Sequence, residues 1–349
     1  MAPRILLVPL LLLAPACGRE PDLVVYIALD QHHSERLVEM FEERTGLEVE
    51  AHYDVERNKT VGLVNRIRSE AAHPYADVFW NNEIAHTIRL KEDGLTQPFD
   101  TRPGPDGAPV PVLPENARGI PEDFRDPEGH WTGFAARARV ILYREDLLPE
   151  GVSPPPSVDA MLDPARAAVG GMARPLTGTT LTHFAMLSWL RGRETVQDWL
   201  RRAKASGLHL GAGNADVMRK VTEKDLAWCL TDTDDAAAAR RNGHPVQVLY
   251  PGQGEDEPGT LLIPNTICIL RGAPHPEAAR RFVEFVLSHE VEALLAASDS
   301  EQIPLHPGVE VPPELRLPGR DFPVARVDWA AVAQELREVQ PLFEELFID

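Results

Sequence analysis

Short apolar runs alternate along the chain with segments whose apolar residues repeat at helical spacing. In the first of these segments, Leu37, Val38 and Phe41 fall on one helical face. The first five predicted elements are strands at 23–27, 47–50 and 76–80 and helices at 34–44 and 60–72. This β-α-β-α-β order predicts an open α/β sheet in which these strands are parallel.

The remainder of the chain continues the alternation. We predict strands at 139–143, 226–230 and 259–270, helices at 180–201, 214–224 and 328–347, two more helices within 275–297, and loops at 101–116 and 153–156. Open α/β sheets bind ligands beyond the carboxyl ends of their strands. Residues 28–31 and 81–83 are therefore the first places to look for a site.

The N-terminus predicts export. Residues 5–13 form an apolar run too short to span a bilayer but typical of a signal peptide, and Ala14-Pro15-Ala16 lead directly to Cys17. Small residues before a cysteine resemble a lipobox, so we predict a signal segment over 1–17 and lipidation of Cys17. An ordinary cleaved signal with a chance cysteine is the alternative. Either places the protein in the periplasm or on the outer face of the cell membrane.

Composition narrows the class of partner. The 349 residues carry a formal net charge of −19, which repels phosphate backbones and argues against nucleic acid as a partner. The acidity is compatible with a cationic ligand, although solvated surface charge is the simpler explanation and the one that we favour. The other two cysteines, Cys229 and Cys268, lie in strand-like runs; we predict two buried free thiols, with a disulfide as the alternative.

Ten segments follow one another in a recognisable order. They are VVYIAL, FEERTGLEV, ADVFWNNE, EDGLTQPF, GHWTGFAARARVILY, PLTGTT, GNADVMRKVTEKDLAWCLTD, GTLLIPNTICIL, GAPHPEAARRFVEFVLSHE and QIPLHPGV. In this order and at this spacing, over roughly residues 22–310, the chain resembles the ferric-ion-type periplasmic solute-binding proteins of ABC transporters.

The resemblance implies an α/β fold of the type II periplasmic-binding-protein kind, with two lobes and a ligand cleft between them. We expect lobe 1 from 22–136 plus 264–312, and lobe 2 from 137–263 plus 313–349, with the C-terminal helix packing on lobe 2. It also implies a receptor rather than an enzyme. Its expected partners are an ABC permease, an ATPase, a small ligand or metal ion, and the membrane through the lipid anchor.

The resemblance also implies where a metal would bind. Ferric-binding relatives use a His after the first strand, a Glu after the third and a tandem Tyr pair. Here those positions hold Asp30, Asn82 with Glu83 beside it, and Asp234 with Asp235. Together with Asp232 nearby, these are hard oxygen donors suited to Fe(III), Mn, Ca or Mg. The absence of the tyrosine pair predicts a bound metal without phenolate colour.

Two of these segments have an alternative interpretation that involves no metal. TDTDDA also fits a helix N-terminus whose aspartates face the helix dipole. His32 and His33 fit solvated positions at a helix start better than ligands.

An anion site is the second implied feature. Thr177, Gly178, Thr179 and Thr180 precede a helix, and Asn214 opens another after a Gly-rich turn. Exposed N–H groups at helix starts attract anions, and in relatives these loops hold a phosphate or carbonate beside the metal. Arg137 matches a family arginine near the cleft. Simple helix capping by hydroxyl residues is the alternative.

Three other functions remain open at this point. The same receptor could bind a small organic or phosphorylated solute instead of a metal. The aspartate cluster could serve a metal-dependent hydrolase, although the sequence contains no nucleophile elbow, P-loop, HExxH or zinc spacing. A receptor turned sensor or structural lipoprotein is the last possibility.

Overall fold

The computed structural model describes residues 20–29, 31–54, 61–104 and 106–347, apart from the side chains of residues 32, 33 and 61. Its strands are β1 (Leu23–Ile27), β2 (Val49–Tyr53), β3 (Val78–Asn81), β4 (Thr96–Gln97), β5 (Asp100–Pro103), β6 (Pro109–Val112), β7 (Trp131–Tyr143), β8 (Gly170–Ala173), β9 (His209–Gly211), β10 (Trp228–Asp232), β11 (Gln247–Leu249) and β12 (Leu262–Leu270). Its α-helices are α1 (Gln31–Thr45), α2 (Val61–Ser69), α3 (Ala85–Glu92), α4 (Pro164–Ala167), α5 (Gly178–Arg191), α6 (Arg193–Ala205), α7 (Asn214–Thr222), α8 (Thr233–Arg241), α9 (Pro276–Val286), α10 (His289–Ala297) and α11 (Trp329–Phe347). The predicted signal segment with Cys17, the candidate ligand Asp30, and the side chains of His32 and His33 lie outside the described residues.

Ten of the described strands form one long sheet in the order β2-β1-β3-β12-β7-β10-β8-β9, with β4 on β12 and β11 on β7, while β5 and β6 pair separately. We call the strands from β2 to the first part of β7, with β4, the first half-sheet. The last part of β7 with β10, β8, β9 and β11 is the second half-sheet. β1 pairs in parallel with both β2 and β3, as the β-α-β-α-β pattern predicted.

Burial in β1 explains why its sequence is continuously apolar. All five residues of β1 are buried. Val24 and Tyr26 belong to the core under α2, α3, α5, α6 and α11, whereas Leu23, Val25 and Ile27 belong to the core under α1, α9 and α10. Helices therefore cover both faces of the sheet, which is typical of parallel sheets.

Two long strands, β7 and β12, run side by side through the middle of the sheet and are irregular at the same level. Ala135 in β7 has φ 37°, in the left-handed region. Opposite it, the register of β12 shifts between Pro264 and Asn265. The buried Glu292 carboxylate accepts a hydrogen bond from the Ala135 N–H at 2.7 Å and from the Leu305 N–H at 2.9 Å. The Glu292 carboxylate thus stabilises this irregularity, at the point where one half-sheet passes to the other.

The C-terminal helix α11 packs on both halves of the molecule. It contacts α5 and α6 beside the second half-sheet and also α3 beside the first. Leu336 and Val339 are fully buried in this contact. On the α3 side, Arg337 lies 2.9 Å from both Glu92 and Asp93. Helix α11 therefore contacts elements from both 137–263 and 22–136, the two ranges predicted to belong to different lobes.

Two predicted elements were wrong in detail. The single helix predicted over 180–201 is two helices, because Gly192 has φ 91° and ends α5 before α6 begins. The loop predicted over 101–116 contains most of the antiparallel hairpin β5–β6.

The two cysteines within the described part of the chain, Cys229 and Cys268, are buried and free, as predicted. Burial raises the pKa of the Cys229 thiol well above its usual value and that of Cys268 to about 12. Among the described residues, no helix combines the length and apolar character needed to cross a bilayer.

Candidate ligand site

The polar residues singled out in the sequence converge where β3 and β10 end, beside the arginines inside β7. Asn82 and Glu83 follow β3, and Asp234 and Asp235 lie in the first turn of α8, directly after β10. Thr179 and Thr180 lie in the first turn of α5. Sequence-distant segments are therefore brought together at one place.

Asp232 is at the centre of this polar cluster. It is the last residue of β10 and lies directly opposite Arg139 of β7 in the antiparallel ladder. Its Oδ1 lies 2.7 Å from Arg139 Nη1, while its Oδ2 accepts hydrogen bonds from Thr179 Oγ1 at 2.5 Å and Asn214 Nδ2 at 2.9 Å. Asp232 is the N-cap residue of α8, yet its side chain makes no capping hydrogen bond. Its carboxylate points instead to residues of α5, α7 and β7.

The donors around Asp232 are also bonded to one another. Asn214 Nδ2 donates to Thr179 Oγ1 at 2.9 Å, and Thr180 Oγ1 donates to Asn214 Oδ1 at 3.0 Å. Arg139 donates to Thr179 Oγ1 at 3.1 Å and to Thr180 Oγ1 at 3.2 Å. We call Thr179, Thr180, Asn214 and Arg139 the cradle. Thr177 precedes α5 as its N-cap, and Gly178 has φ 58°, so both shape the approach to the cradle.

Three carboxylates meet at the start of α8. One oxygen from each of Asp232, Asp234 and Asp235 lies within 4.8 Å of the other two. Asp232 is buried, whereas Asp234 and Asp235 are half-buried. Asp234 Oδ1 accepts a hydrogen bond from the Asp235 N–H at 3.0 Å, and Asp235 Oδ2 accepts one from Thr231 Oγ1. The helix-start alternative therefore holds for Asp234 at the same time as its place in the carboxylate group.

Arg137 contacts both the segment that follows β3 and the start of α8. Its Nη1 lies 3.6 Å from Asp234 Oδ2, and its Nη2 donates to the backbone carbonyl of Asn82. Arg137 is 4% exposed, so its guanidinium lies in an environment where a nearby carboxylate is strongly favoured. The structure thus places Arg137 in contact with two of the metal-ligand candidates, Asn82 and Asp234.

Both carboxylate oxygens of Glu83 accept hydrogen bonds from neighbouring groups. Its carboxylate accepts from the N–H groups of Ala85 and His86 at the start of α3, at 2.7 and 2.8 Å. It also accepts from Asn81 Nδ2 at 3.0 Å and from Thr182 Oγ1 of α5 at 3.1 Å. Glu83 is fully buried. Its visible role is to cap α3 and to link the first half-sheet to α5.

A buried histidine beside the cradle stays uncharged. Burial lowers the pKa of His183 well below its usual value, and the positive charge of Arg139, followed by that of Arg191, lowers it further. His183 therefore adds no positive charge near Asp232 at neutral pH. The cation that directly contacts Asp232 is Arg139.

The structure brings together Asn82, Glu83, Asp234 and Asp235, and next to them Thr179, Thr180, Asn214 and Arg137. Sequence reasoning missed Arg139 and Thr182. The signal for Arg139 was its place directly before the apolar run VILY of the same strand, since a buried arginine requires a partner. Thr182 carried no such signal.

Comparison with known proteins decides the family. The sequence profile of the family described as bacterial extracellular solute-binding protein matches residues 36–316, which is well over half of the chain. The protein belongs to this family. This solute-binding protein is 25% identical over 303 residues to iron uptake protein A1 of Synechocystis sp., a match that covers 83% of its chain and 77% of the relative. It is 22% identical over 291 residues to the major ferric iron-binding protein of Neisseria meningitidis, covering 82% of each chain.

Comparison with solved structures agrees with the family assignment. Iron-bound HitA from Pseudomonas aeruginosa superposes on this solute-binding protein with a TM-score of 0.78 at 23% identity, covering 92% of this chain and 98% of HitA. The predicted α/β periplasmic-binding-protein fold is therefore confirmed. At this level of identity the likeness shows the fold alone.

Proposed function

We propose that this solute-binding protein is the substrate-binding component of an ABC importer and that its substrate is a hard metal cation, with ferric iron as the first candidate. The single observation that supports this most is the group of three carboxylates at the start of α8, whose oxygens lie within 4.8 Å of one another. Carboxylate oxygens are the ligands that hard cations prefer. The relatives named as iron uptake and ferric iron-binding proteins support the choice of iron.

Charge supports a cation over an anion at this place. Like charges that share a site are costly unless a cation offsets them. Arg139 faces Asp232 at 2.7 Å, and Arg137 lies 3.6 Å from Asp234. We propose that the bound metal supplies further positive charge and that Asp234 and Asp235 are its principal protein ligands. Asn82 would contribute a further ligand, and the family spacing adds Asp30 to the candidates.

We further propose that the ligand lies between two lobes, 22–136 plus 264–312 and 137–263 plus 313–349. The hydrogen bond from Thr182 to Glu83 and the bond from Arg137 to the Asn82 carbonyl join residues of the two lobes. Opening of a cleft would break both contacts. The partners would be an ABC permease and ATPase, with the protein held at the membrane through Cys17.

Metal titrations of aspartate variants test the proposal. Protein freed of metal is titrated by calorimetry with Fe(III) chelates, Mn(II) and Ca(II). Asp234→Ala and Asp235→Ala should each weaken binding by about ten- to hundredfold, since each removes one charged ligand. Asp159→Ala is the matched control, because Asp159 also pairs with an arginine, Arg191 at 3.0 Å, but lies outside the carboxylate group.

The spectrum of the loaded protein gives a second readout. A phenolate–iron band requires a tyrosine ligand, whereas Tyr143 donates to Gln247 at 2.8 Å and Tyr250 stacks on Phe322. We expect Fe(III)-loaded protein to show no such band in the visible region. The proposal is wrong if wild-type protein binds none of these metals, or if both aspartate variants bind as tightly as the control.

An organic amine is the second candidate, because an ammonium group suits the same carboxylates. Metal-free protein that binds an amine-bearing solute, and loses it on Asp234→Ala, would move this candidate to first place.

A further inference from the structure

The cradle, predicted to hold a phosphate or carbonate, surrounds a carboxylate that belongs to the chain itself. Thr179 Oγ1 and Asn214 Nδ2 donate to Asp232 Oδ2 at 2.5 and 2.9 Å, and Arg139 Nη1 donates to Asp232 Oδ1 at 2.7 Å. A hydroxyl, an amide and a guanidinium are the kinds of donor that bind a small oxyanion. All three converge on the two oxygens of one side chain.

The residues of this arrangement are buried, so an anion from solvent can reach the donors only by displacing Asp232. Arg139 is 0% exposed, Asp232 4%, Thr180 2% and Thr179 5%. An external phosphate would have to displace Asp232 from these donors and would meet the negative charge of Asp234 and Asp235 within the same group. Like charges at this separation strongly disfavour a second anion.

We propose that Asp232 acts as an internal anion: it occupies the cradle permanently and closes it to phosphate, carbonate and other small oxyanions. The consequence for transport rests on the proposed metal-binding function, since the metal would then bind without a co-bound anion. Closure of the cradle itself does not depend on that function and is tested without metal.

The decisive variant is Asp232→Ala, which removes both the charge of the carboxylate and its volume from the cradle. Arg139 would then be a buried cation without its counter-charge, beside Thr179 and Asn214, and inorganic phosphate should bind in the space that the carboxylate leaves. Asp77→Ala is the matched control, because Asp77 is a fully buried carboxylate that accepts from the Val24 N–H at 2.8 Å and lies at the opposite end of β3. Phosphate binding is measured on metal-free proteins by phosphorus NMR line broadening and by the shift of the thermal unfolding midpoint.

We expect phosphate to raise the unfolding midpoint of Asp232→Ala and to leave that of wild type and Asp77→Ala unchanged, because a ligand stabilises only a protein that binds it. The Kd for phosphate should be at least about tenfold lower for Asp232→Ala than for wild type. Saturable phosphate binding by metal-free wild type, at an affinity equal to that of the variant, overturns the proposal. So does the absence of binding to a folded Asp232→Ala, since Asp232 would then not be what closes the cradle.

A wild-type measurement keeps the proposal testable if Asp232→Ala does not fold. Mn(II) is titrated into wild type with and without phosphate, and the Kd should change by less than about twofold, since uncoupled sites do not alter each other's affinity. Tightening by about tenfold or more shows a co-bound anion and overturns the inference. If wild type binds no metal at all, the proposed function fails, while phosphate binding to the metal-free wild type alone still decides whether the cradle is closed.

Discussion

Replacing Arg139 with methionine removes the cation that faces Asp232 in the interior of the second half-sheet. Both side chains are buried, at 0% and 4% exposure, and their charged atoms lie 2.7 Å apart. Methionine retains much of the apolar stem of arginine, so the substitution mainly removes charge and hydrogen bonds. Asp232 keeps two donors, Thr179 Oγ1 and Asn214 Nδ2, but loses its counter-ion.

The expected loss in the free energy of unfolding follows from those contacts. Thr179 and Thr180 hydroxyls each lose one donor, but both still donate to other acceptors, Asp232 and Asn214. The large contribution is the buried carboxylate left without a cation, and breaking a buried pair in this way costs about 3–5 kcal/mol. We therefore expect Arg139→Met to lower the free energy of unfolding by about 3–5 kcal/mol.

Urea denaturation followed by tryptophan fluorescence measures the effect, since the fully buried Trp228 lies in β10 and reports on this half-sheet. The double variant with Asp232→Asn removes both charges. It should be more stable than the sum of the single effects implies, by about 1–3 kcal/mol, because contacting partners couple. Arg202→Met is the control: Arg202 pairs with Asp198 at 3.0 Å, but its side chain is 61% exposed.

Exposed pairs contribute about 0–1 kcal/mol, so the control should stay within that range. The reasoning is refuted if Arg139→Met costs no more than the control, or if the two single effects add without coupling. Either result would mean that the pair is not a buried ion pair in solution.

Three further predictions concern other parts of the molecule. Burial would raise the pKa of Glu292, but its bonds from His306 and from backbone N–H groups lower it overall, so its contribution to stability is lost as pH falls through that lowered pKa. Glu292→Gln should cost about 1–3 kcal/mol near neutral pH, and urea midpoints measured at decreasing pH should show the difference from wild type shrinking; a constant difference would contradict this. Leu336→Ala should cost about 2–5 kcal/mol by urea denaturation, because Leu336 is fully buried, while the exposed Gln334→Ala should change stability little; equal effects would exclude a packing role for α11. Cys17→Ser should release the protein from membrane fractions, and unchanged fractionation would rule out a lipid anchor at that residue.

The sequence predicted the main elements of the sheet because buried strands and amphipathic helices leave clear patterns. β1 and β3 are fully buried, and their apolar runs show it. The break at Gly192 was missed because both flanking segments are good helix formers, and only the positive φ of that glycine separates them. Local pattern does not contain that backbone angle.

The site was predictable in its residues but not in its pairings. Family spacing located Asp234, Asp235 and the α5 start, whereas the ion pair of Arg139 with Asp232 depends on the antiparallel register between β7 and β10. Register is set by the packing of the whole sheet and cannot be read from either strand. For that reason the cradle was predicted as an anion site without its own carboxylate.

The packing of α11 on both α3 and α5 has an evolutionary consequence. A change in side-chain volume on α3 must be accommodated on α11, and an altered α11 must still fit α5 and α6. Homologues that vary Leu336 or Val339 should therefore show matching changes on helices of both halves. The two halves of this receptor are therefore expected to change together through one helix, while the hairpin β5–β6, whose residues are mostly exposed, is expected to tolerate independent change.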